Sequence, residues 1–192
     1  NNPIWCVDGL NKIQKLVEDN NLTLHALCND FIIENSLLND NVVEQNIDLI
    51  KQGQILGIEK YVMPLFEISE LNSKNMKDFI EPIRVVAKAA LENNMLTCLE
   101  TILTGEELLE LLKLINLPCV KIVYDTGNRI AFGHDLPHDI RLLDKHIAHV
   151  HIKDKNTKNE NTLLGTGLVD FEQVFYALKD INYHGPFTFE TV

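Results

Sequence analysis

The stretch His149-Val150-His151-Ile152-Lys153-Asp154 reads as the end of a buried strand that finishes in coordinating groups. Side chains alternate along a strand, so His149, His151 and Lys153 share one face while Val150 and Ile152 share the other. The apolar face should meet helices. That turns the two histidines and the lysine inward, with His151 nearer the C-terminal mouth and His149 one layer deeper, where a hydrogen-bonded core role is expected. Three further apolar runs, Leu96 to Thr101, Val120 to Asp125 and Phe187 to Thr191, also end in or near a carboxylate: Glu100, Asp125 and Glu190. If these four ends meet, hard oxygen ligands and one imidazole nitrogen suit a divalent ion such as Mn2+, Mg2+, Co2+ or Zn2+.

The 192 residues are 45% hydrophobic, enough for one domain with a sizeable core. A net charge of −11 argues against a broad nucleic-acid surface, which needs lysine and arginine to neutralise phosphates. The four cysteines, Cys6, Cys28, Cys98 and Cys119, form no C-x-x-C pair, so reduced thiols are expected rather than a zinc knuckle or a disulfide framework. No run of about 18 apolar residues spans a bilayer. The polar start Asn1-Asn2-Pro3 is no secretory signal, and a cytoplasmic location follows as the expectation.

Helical spacing of Leu10, Ile13, Leu16 and Val17 predicts a helix from Gly9 to Asn20, with Asp8 as N-cap and Asn20-Asn21 as the stop. Thr23 to Cys28 is a short, mostly apolar run. A second helix places Val43, Ile47 and Ile50 on one face and closes at Gly57, and Ile58 to Leu65 reads as a strand. Between Asn75 and Asn93, Met76, Phe79, Ile83, Val86 and Ala90 predict a helix that Pro82 should kink or restart. Gly105 to Ile115 is a strong amphipathic helix ahead of the strand that ends at Asp125. A loop with Gly127 and Gly133 leads to a short helix near Pro137 to Asp144 and then to the strand Ile147 to Lys153. A polar loop follows, then a helix from Phe171 to Ile181 with Asp170 as N-cap and Gln173 in a capping-box-like position.

Six helix-then-strand units of about 32 residues each predict parallel strands with helices outside. A doubly wound sheet would commonly show a G-x-G-x-x-G turn after its first strand, and none is present. A (β/α)8 TIM barrel places its site at the C-terminal ends of several strands, where Glu100, Asp125, His151 and Glu190 fall. Such a barrel runs to about 250 residues. The expectation is therefore a single barrel domain over 1–192 that lacks the first two strands and the last helix.

Asp125, in Val-Tyr-Asp-Thr-Gly-Asn, could by itself be an ordinary Asx turn at a strand exit. Glu100 and Glu190 are different, because a glutamate closing a buried strand is costly without a compensating partner. Counting the last strand as the eighth makes Leu96 to Thr101 the fifth, so the two glutamates stand apart around the mouth. With a metal polarising a carbonyl between them, one can remove a proton from the adjacent carbon, through an enediolate, and the other can return it.

The runs Cys-Leu-Glu-Thr (98–101), Val-Tyr-Asp-Thr-Gly-Asn (123–128), Gly-His-Asp (133–135), Ile-Ala-His-Val-His-Ile-Lys-Asp (147–154), Leu-Gly-Thr-Gly-Leu-Val-Asp-Phe (164–171) and Tyr-His-Gly-Pro-Phe-Thr-Phe-Glu (183–190) resemble the sugar phosphate isomerase/epimerase family. The likeness spans nearly all of the chain. It implies the xylose-isomerase-like TIM barrel, nearest to ketose and ketose-phosphate 3-epimerases and hexulose-phosphate isomerases. It also implies a single divalent ion held by Glu100, Asp125, His151 and Glu190, with the two glutamates as the acid/base pair. Asn128 and Lys153 match positions near the substrate, a small sugar or sugar phosphate.

Thr166 departs from the family where many members carry a charged residue. DNA-repair endonucleases of the same barrel use three zinc ions and extra histidines, one of them where this chain has Asn128, and an Asp-x-His pair that is missing after His151; their activity is disfavoured. A non-catalytic sugar-binding barrel is the alternative from another class, but such a module has no need of two opposed bases. The turn at Gly165 to Gly167 offers backbone N–H groups of the kind that bind phosphate, although such turns are more often structural. A homo-oligomer is compatible with the sequence, which carries no signal for or against one.

Overall fold

Six runs of paired backbone lie side by side in one sheet: β1 Leu27–Cys28, β2 Lys60–Pro64, β3 Leu96–Glu100, β4 Val120–Asp125, β5 Ile147–Ile152 and β6 Phe187–Phe189. The structure is a computed structural model that describes residues 2–191; Asn1, part of the polar start read above, and Val192 lie outside the described residues. Every pair is parallel and the spatial order is β1-β2-β3-β4-β5-β6. A doubly wound sheet reverses its order at a switch point, and this sheet never does. Strictly sequential parallel pairing is how a (β/α)8 barrel advances, so these strands form an open part of one.

The helices are α1 Val7–Asp19, α2 Phe31–Glu34, α3 Asp40–Ile55, α4 Met76–Glu92, α5 Gly105–Ile115, α6 Thr126–Ala131, α7 Leu136–Leu143 and α8 Phe171–Asp180. Outward strand residues such as Tyr61, Leu99, Ile122, Tyr124, Val150 and Ile152 join helix residues such as Phe79, Leu111, Ile140 and Val174 in the main core. A second, small cluster of Val62, Cys98 and Val123 lines the inner face. Val150 and Ile152 thus pack outward, as alternation required, and the histidines face in.

One irregularity decides the alignment of the site. The β4–β5 register shifts between Ile122 and Val123, so that Ile122 pairs with Ile147 but Val123 pairs with His149, and Asp125 then pairs with His151. Without the extra residue Asp125 would stand beside Val150, whose side chain points outward. A bulge of this kind re-aims side chains, and here it brings a carboxylate and an imidazole level on the inner face.

Several expectations change. Helix α1 starts at Val7, two residues before the expected Gly9, with Cys6 as N-cap; Asp8 lies in the first turn, where it faces the positive end of the helix dipole instead of capping it. Of Thr23 to Cys28 only Leu27–Cys28 pairs with β2. The buried face of α3 is Val42, Asn46, Leu49, Ile50 and Gly53, displaced by about one residue from the apolar stripe. Asn46 explains the displacement: its amide donates to Val42 O at 2.6 Å and accepts from Asn29 Nδ2 at 3.2 Å and from the Tyr61 hydroxyl, so a polar residue belongs to the core. Helix α4 does not restart at Pro82. Asp78, whose carbonyl loses its helical partner there, is exposed, and water can take the bond. The segment after Asp125, read as a loop, is α6. At α5, Thr104 and Glu107 form a full capping box that had not been anticipated. At α8 Asp170 accepts from Gln173 N at 3.1 Å, the first half of such a box.

Candidate metal centre

Each candidate ligand is delivered by a strand end. Glu100 closes β3, Asp125 closes β4, His151 is the penultimate residue of β5, and Glu190 follows β6, its N–H extending the ladder to Ile152 O at 3.1 Å. Glu100, Asp125 and His151 are buried, and one ligand atom from each lies within 4.8 Å of the others. His151 Nδ1 is 3.7 Å from Glu100 Oε2 and 3.9 Å from Asp125 Oδ2. Glu190 stands outside that group of three yet touches it, with Oε1 2.8 Å from His151 Nδ1.

Asp125 performs two tasks with one carboxylate. Its Oδ1 caps α6 by accepting from Asn128 N at 2.6 Å, while Oδ2 faces the cluster. The Asx-turn reading and the ligand reading are therefore compatible. Asn128 Nδ2 donates to Glu100 Oε1 at 3.2 Å and to Asp125 Oδ2 at 3.0 Å, holding the two acids in place. Lys153 Nζ donates to Glu190 Oε2 at 2.6 Å and lies 3.6 Å from Asp125 Oδ2. His149 sits one layer down, its ring 5.1 Å from that of His151, with Nε2 2.7 Å from Thr188 Oγ1. This is the hydrogen-bonded core position expected of it.

Burial drives the Glu100 carboxyl up to about 7, with Asp125 and Glu190 adding to the rise while His151 and Lys153 oppose it. Asp125 is raised as well, again by burial first. Glu190 goes the other way, down to about 2, because His151 and Lys153 press on its two oxygens. Burial alone would lower His151, but the surrounding carboxylates, Glu190 foremost, raise it above its ordinary value. The directions describe two acids raised chiefly by burial and a third held ionised by the cationic groups beside it.

The same cluster fits a divalent cation. His151 Nδ1 is buried and, although close to Glu190, has no partner in hydrogen-bond geometry. An unsatisfied imidazole nitrogen among converging carboxylates supplies mixed nitrogen and oxygen ligation, and a cation would reverse the penalty that burial places on Glu100.

Three residues were not anticipated. Thr126, fully buried, has its hydroxyl within 3.2 Å of His151 O, 2.7 Å of Lys153 O and 3.0 Å of Lys153 N, tying α6 to the end of β5. Arg129 is buried against Asp139 at 2.5 Å and donates to Leu103 O at 3.0 Å, fastening the loop that follows Glu100. Asp154 takes the N–H groups of Lys155, Gly165, Gly167 and Val169 at 2.8–3.1 Å. The turn is thus structural, the commoner use of such turns: the Gly165 and Gly167 amides are occupied by the chain's own carboxylate and that of Thr166 by Leu163 O. A Cβ on Gly167 would fall 2.3 Å from Asp154 Oδ1, which is the signal that residue carried.

The model of the xylose isomerase-like TIM barrel matches residues 5–192. The chain belongs to that family. Among curated relatives of this xylose isomerase-like barrel, L-ribulose-5-phosphate 3-epimerase UlaE of Salmonella typhi is 38% identical over 77 residues, which are 40% of this chain and 27% of that protein. The match thus spans about a quarter of the relative's length. A solved structure of an L-ribulose 3-epimerase superposes with a TM-score of 0.80 at 20% identity, covering 95% of this chain and 66% of that one. The IOLI protein, solved with a binding zinc atom, gives 0.78 at 17% identity over 95% and 72%. These two likenesses show the xylose isomerase-like fold. No helix among the described residues is long and apolar enough to cross a membrane.

Proposed function

We propose that this family member is a metal-dependent epimerase or isomerase of a ketose or ketose phosphate, working by proton transfer at the carbon beside the carbonyl. One observation carries the reading: Glu100, closing β3, and Glu190, just after β6, reach one cluster with Asp125 and His151 from separate strand ends. The 3-epimerase named among the relatives supports the substrate class.

Glu100, Asp125, His151 and Glu190 would hold one divalent ion, Mn2+ before Mg2+, Co2+ or Zn2+. When bound, that ion would polarise the substrate carbonyl and stabilise an enediolate. Glu190, which follows the last strand on the other side of the cluster, is the group assigned to accept a proton from carbon. Glu100, at the end of β3, is the partner that returns a proton from across the site. Asn128 orients Glu100 and Asp125 with both of its amide N–H groups, and its Oδ1 would accept from a substrate hydroxyl beside them.

In this reading the chain supplies six of the eight strands of one barrel domain, and the remaining two would complete the wall between β6 and β1. The four free thiols accord with a reducing, cytoplasmic setting. The test is a panel of ketoses and ketose 5- or 6-phosphates given to the full-length protein after chelation and again with Mn2+. Metal-dependent conversion to the 3-epimer or to the aldose is the expected outcome. No conversion of any member by folded, metal-loaded protein would count against the reading.

A further inference from the structure

Lys153 is held by three consecutive residues of the β4–α6 junction. Asp125 Oδ2 lies 3.6 Å from its ammonium. The Thr126 hydroxyl accepts from its backbone N–H at 3.0 Å and lies 2.7 Å from its carbonyl. Gly127 gives its stem room: a Cβ there would stand 2.7 Å from Cγ, 2.9 Å from Cβ and 3.0 Å from Cδ of the lysine. Glu190 Oε2 completes the seat at 2.6 Å. A lysine fastened along its whole length is a built feature rather than a surface ion pair.

The position of the ammonium is informative. It shares Asp125 and Glu190 with the site a cation would use, and Glu190 is the one acid that stands outside the group of three close ligand atoms. We propose that Lys153 is a resident counter-cation that competes with the divalent ion for Asp125 and Glu190. It neutralises the crowded carboxylates when no metal is bound and holds Glu190 aside. It yields when the ion arrives, leaving an ammonium free beside Glu190 for a substrate oxygen. Lysine suits this exchange because its charge is compact and its four-carbon stem flexible, whereas the planar fork of arginine favours a fixed bidentate pair. The inference rests on the metal-dependent reading above.

Calorimetric titration of Mn2+ into full-length, chelator-stripped protein tests it, at about pH 8, where carboxylates are ionised. Lys153→Met should bind Mn2+ at least about tenfold more tightly than the parent, the scale expected when a unit positive charge a few ångströms away is removed. Lys153→Arg, which keeps the charge and can grip the carboxylates with its fork, should bind Mn2+ no more tightly than the parent. Gly127→Ala offers an independent route, because the added methyl displaces the lysine stem with all charges intact; it too should tighten Mn2+ binding. The metal-free Lys153→Met protein should also melt lower than the parent and gain more from Mn2+. Unchanged or weaker Mn2+ binding in both Lys153→Met and Gly127→Ala would overturn the inference while leaving the metal reading in place. A parent that binds no Mn2+ would overturn both.

Discussion

Asn128 donates from Nδ2 to Glu100 Oε1 at 3.2 Å, linking the first turn of α6 to the end of β3. The same nitrogen reaches Asp125 Oδ2, so the residue that the family likeness puts near the substrate also fixes the angle between two candidate ligands. Replacing it with alanine leaves both buried acids short of a donor. Asn128→Ala should lose about 1–3 kcal/mol of stability in the metal-free protein, seen as a lower denaturation midpoint in urea, and Mn2+ should restore part of the loss. An unchanged midpoint would mean that water replaces the amide fully.

Asp154 governs the loop over residues 155–169. Its carboxylate receives four backbone N–H groups, and bonds of this kind to a charged acceptor are worth more than neutral ones. Asp154→Ala should release the loop and expose Lys155 and Lys158 to trypsin, with cleavage at least about tenfold faster, as a loss of 1.4 kcal/mol or more in local closing free energy implies. Asp154→Asn, which keeps one carbonyl oxygen as an acceptor, should fall between alanine and the parent. Equal cleavage rates in all three would show that the loop is held by other contacts.

The Arg129–Asp139 pair is buried, lies beneath the Tyr124 ring and carries the Leu103 carbonyl that follows Glu100. Removing either partner strands the other charge away from water. Arg129→Met or Asp139→Leu alone should each cost about 3–5 kcal/mol, while the double variant should recover much of that loss. Additive losses in the double variant would contradict this account.

His134 supplies a pH dependence. Its Nε2 lies 3.1 Å from Ile102 O, and burial together with the nearby Arg129 lowers its pKa below the ordinary histidine value. The unfolded chain therefore binds a proton more readily than the folded one. Stability from this residue is present above the unfolded pKa near 6.5 and is lost as pH falls from there toward the lower folded value. Urea midpoints measured downward from neutral pH should fall less steeply in His134→Gln than in the parent. Parallel slopes would remove His134 from the acid response.

Three of the strands that carry the site were legible because their apolar runs are five or six residues long and end in polar groups that a core would not otherwise accept, which is why Glu100, Asp125 and His151 stood out. Glu190 was expected to close a buried strand too, but β6 is three residues long and exposed; its side chain still reaches His151. What escaped detection depends on partners distant in sequence. Asp154 looks like a loop residue until Gly165, Gly167 and Val169 return to it. Arg129 reads as an exposed charge until Asp139 meets it. Helix α6 hid behind a Thr-Gly-Asn sequence that equally spells a turn, and the β4–β5 bulge leaves no mark in composition or periodicity. Asn46 shows the limit of apolar periodicity itself, since a hydrogen-bonded amide can occupy a core position.

Solvent-deuterium incorporation is the most direct test of the central claim, that Glu100 and Glu190 move a proton at the carbon beside a ketose carbonyl. Full-length, Mn2+-loaded protein and its Glu190→Gln variant would be incubated in D2O with the ketose panel, and label read by NMR. The account expects deuterium at that carbon with the parent and none with Glu190→Gln. Turnover without label in the parent, or equal label in the variant, would contradict it.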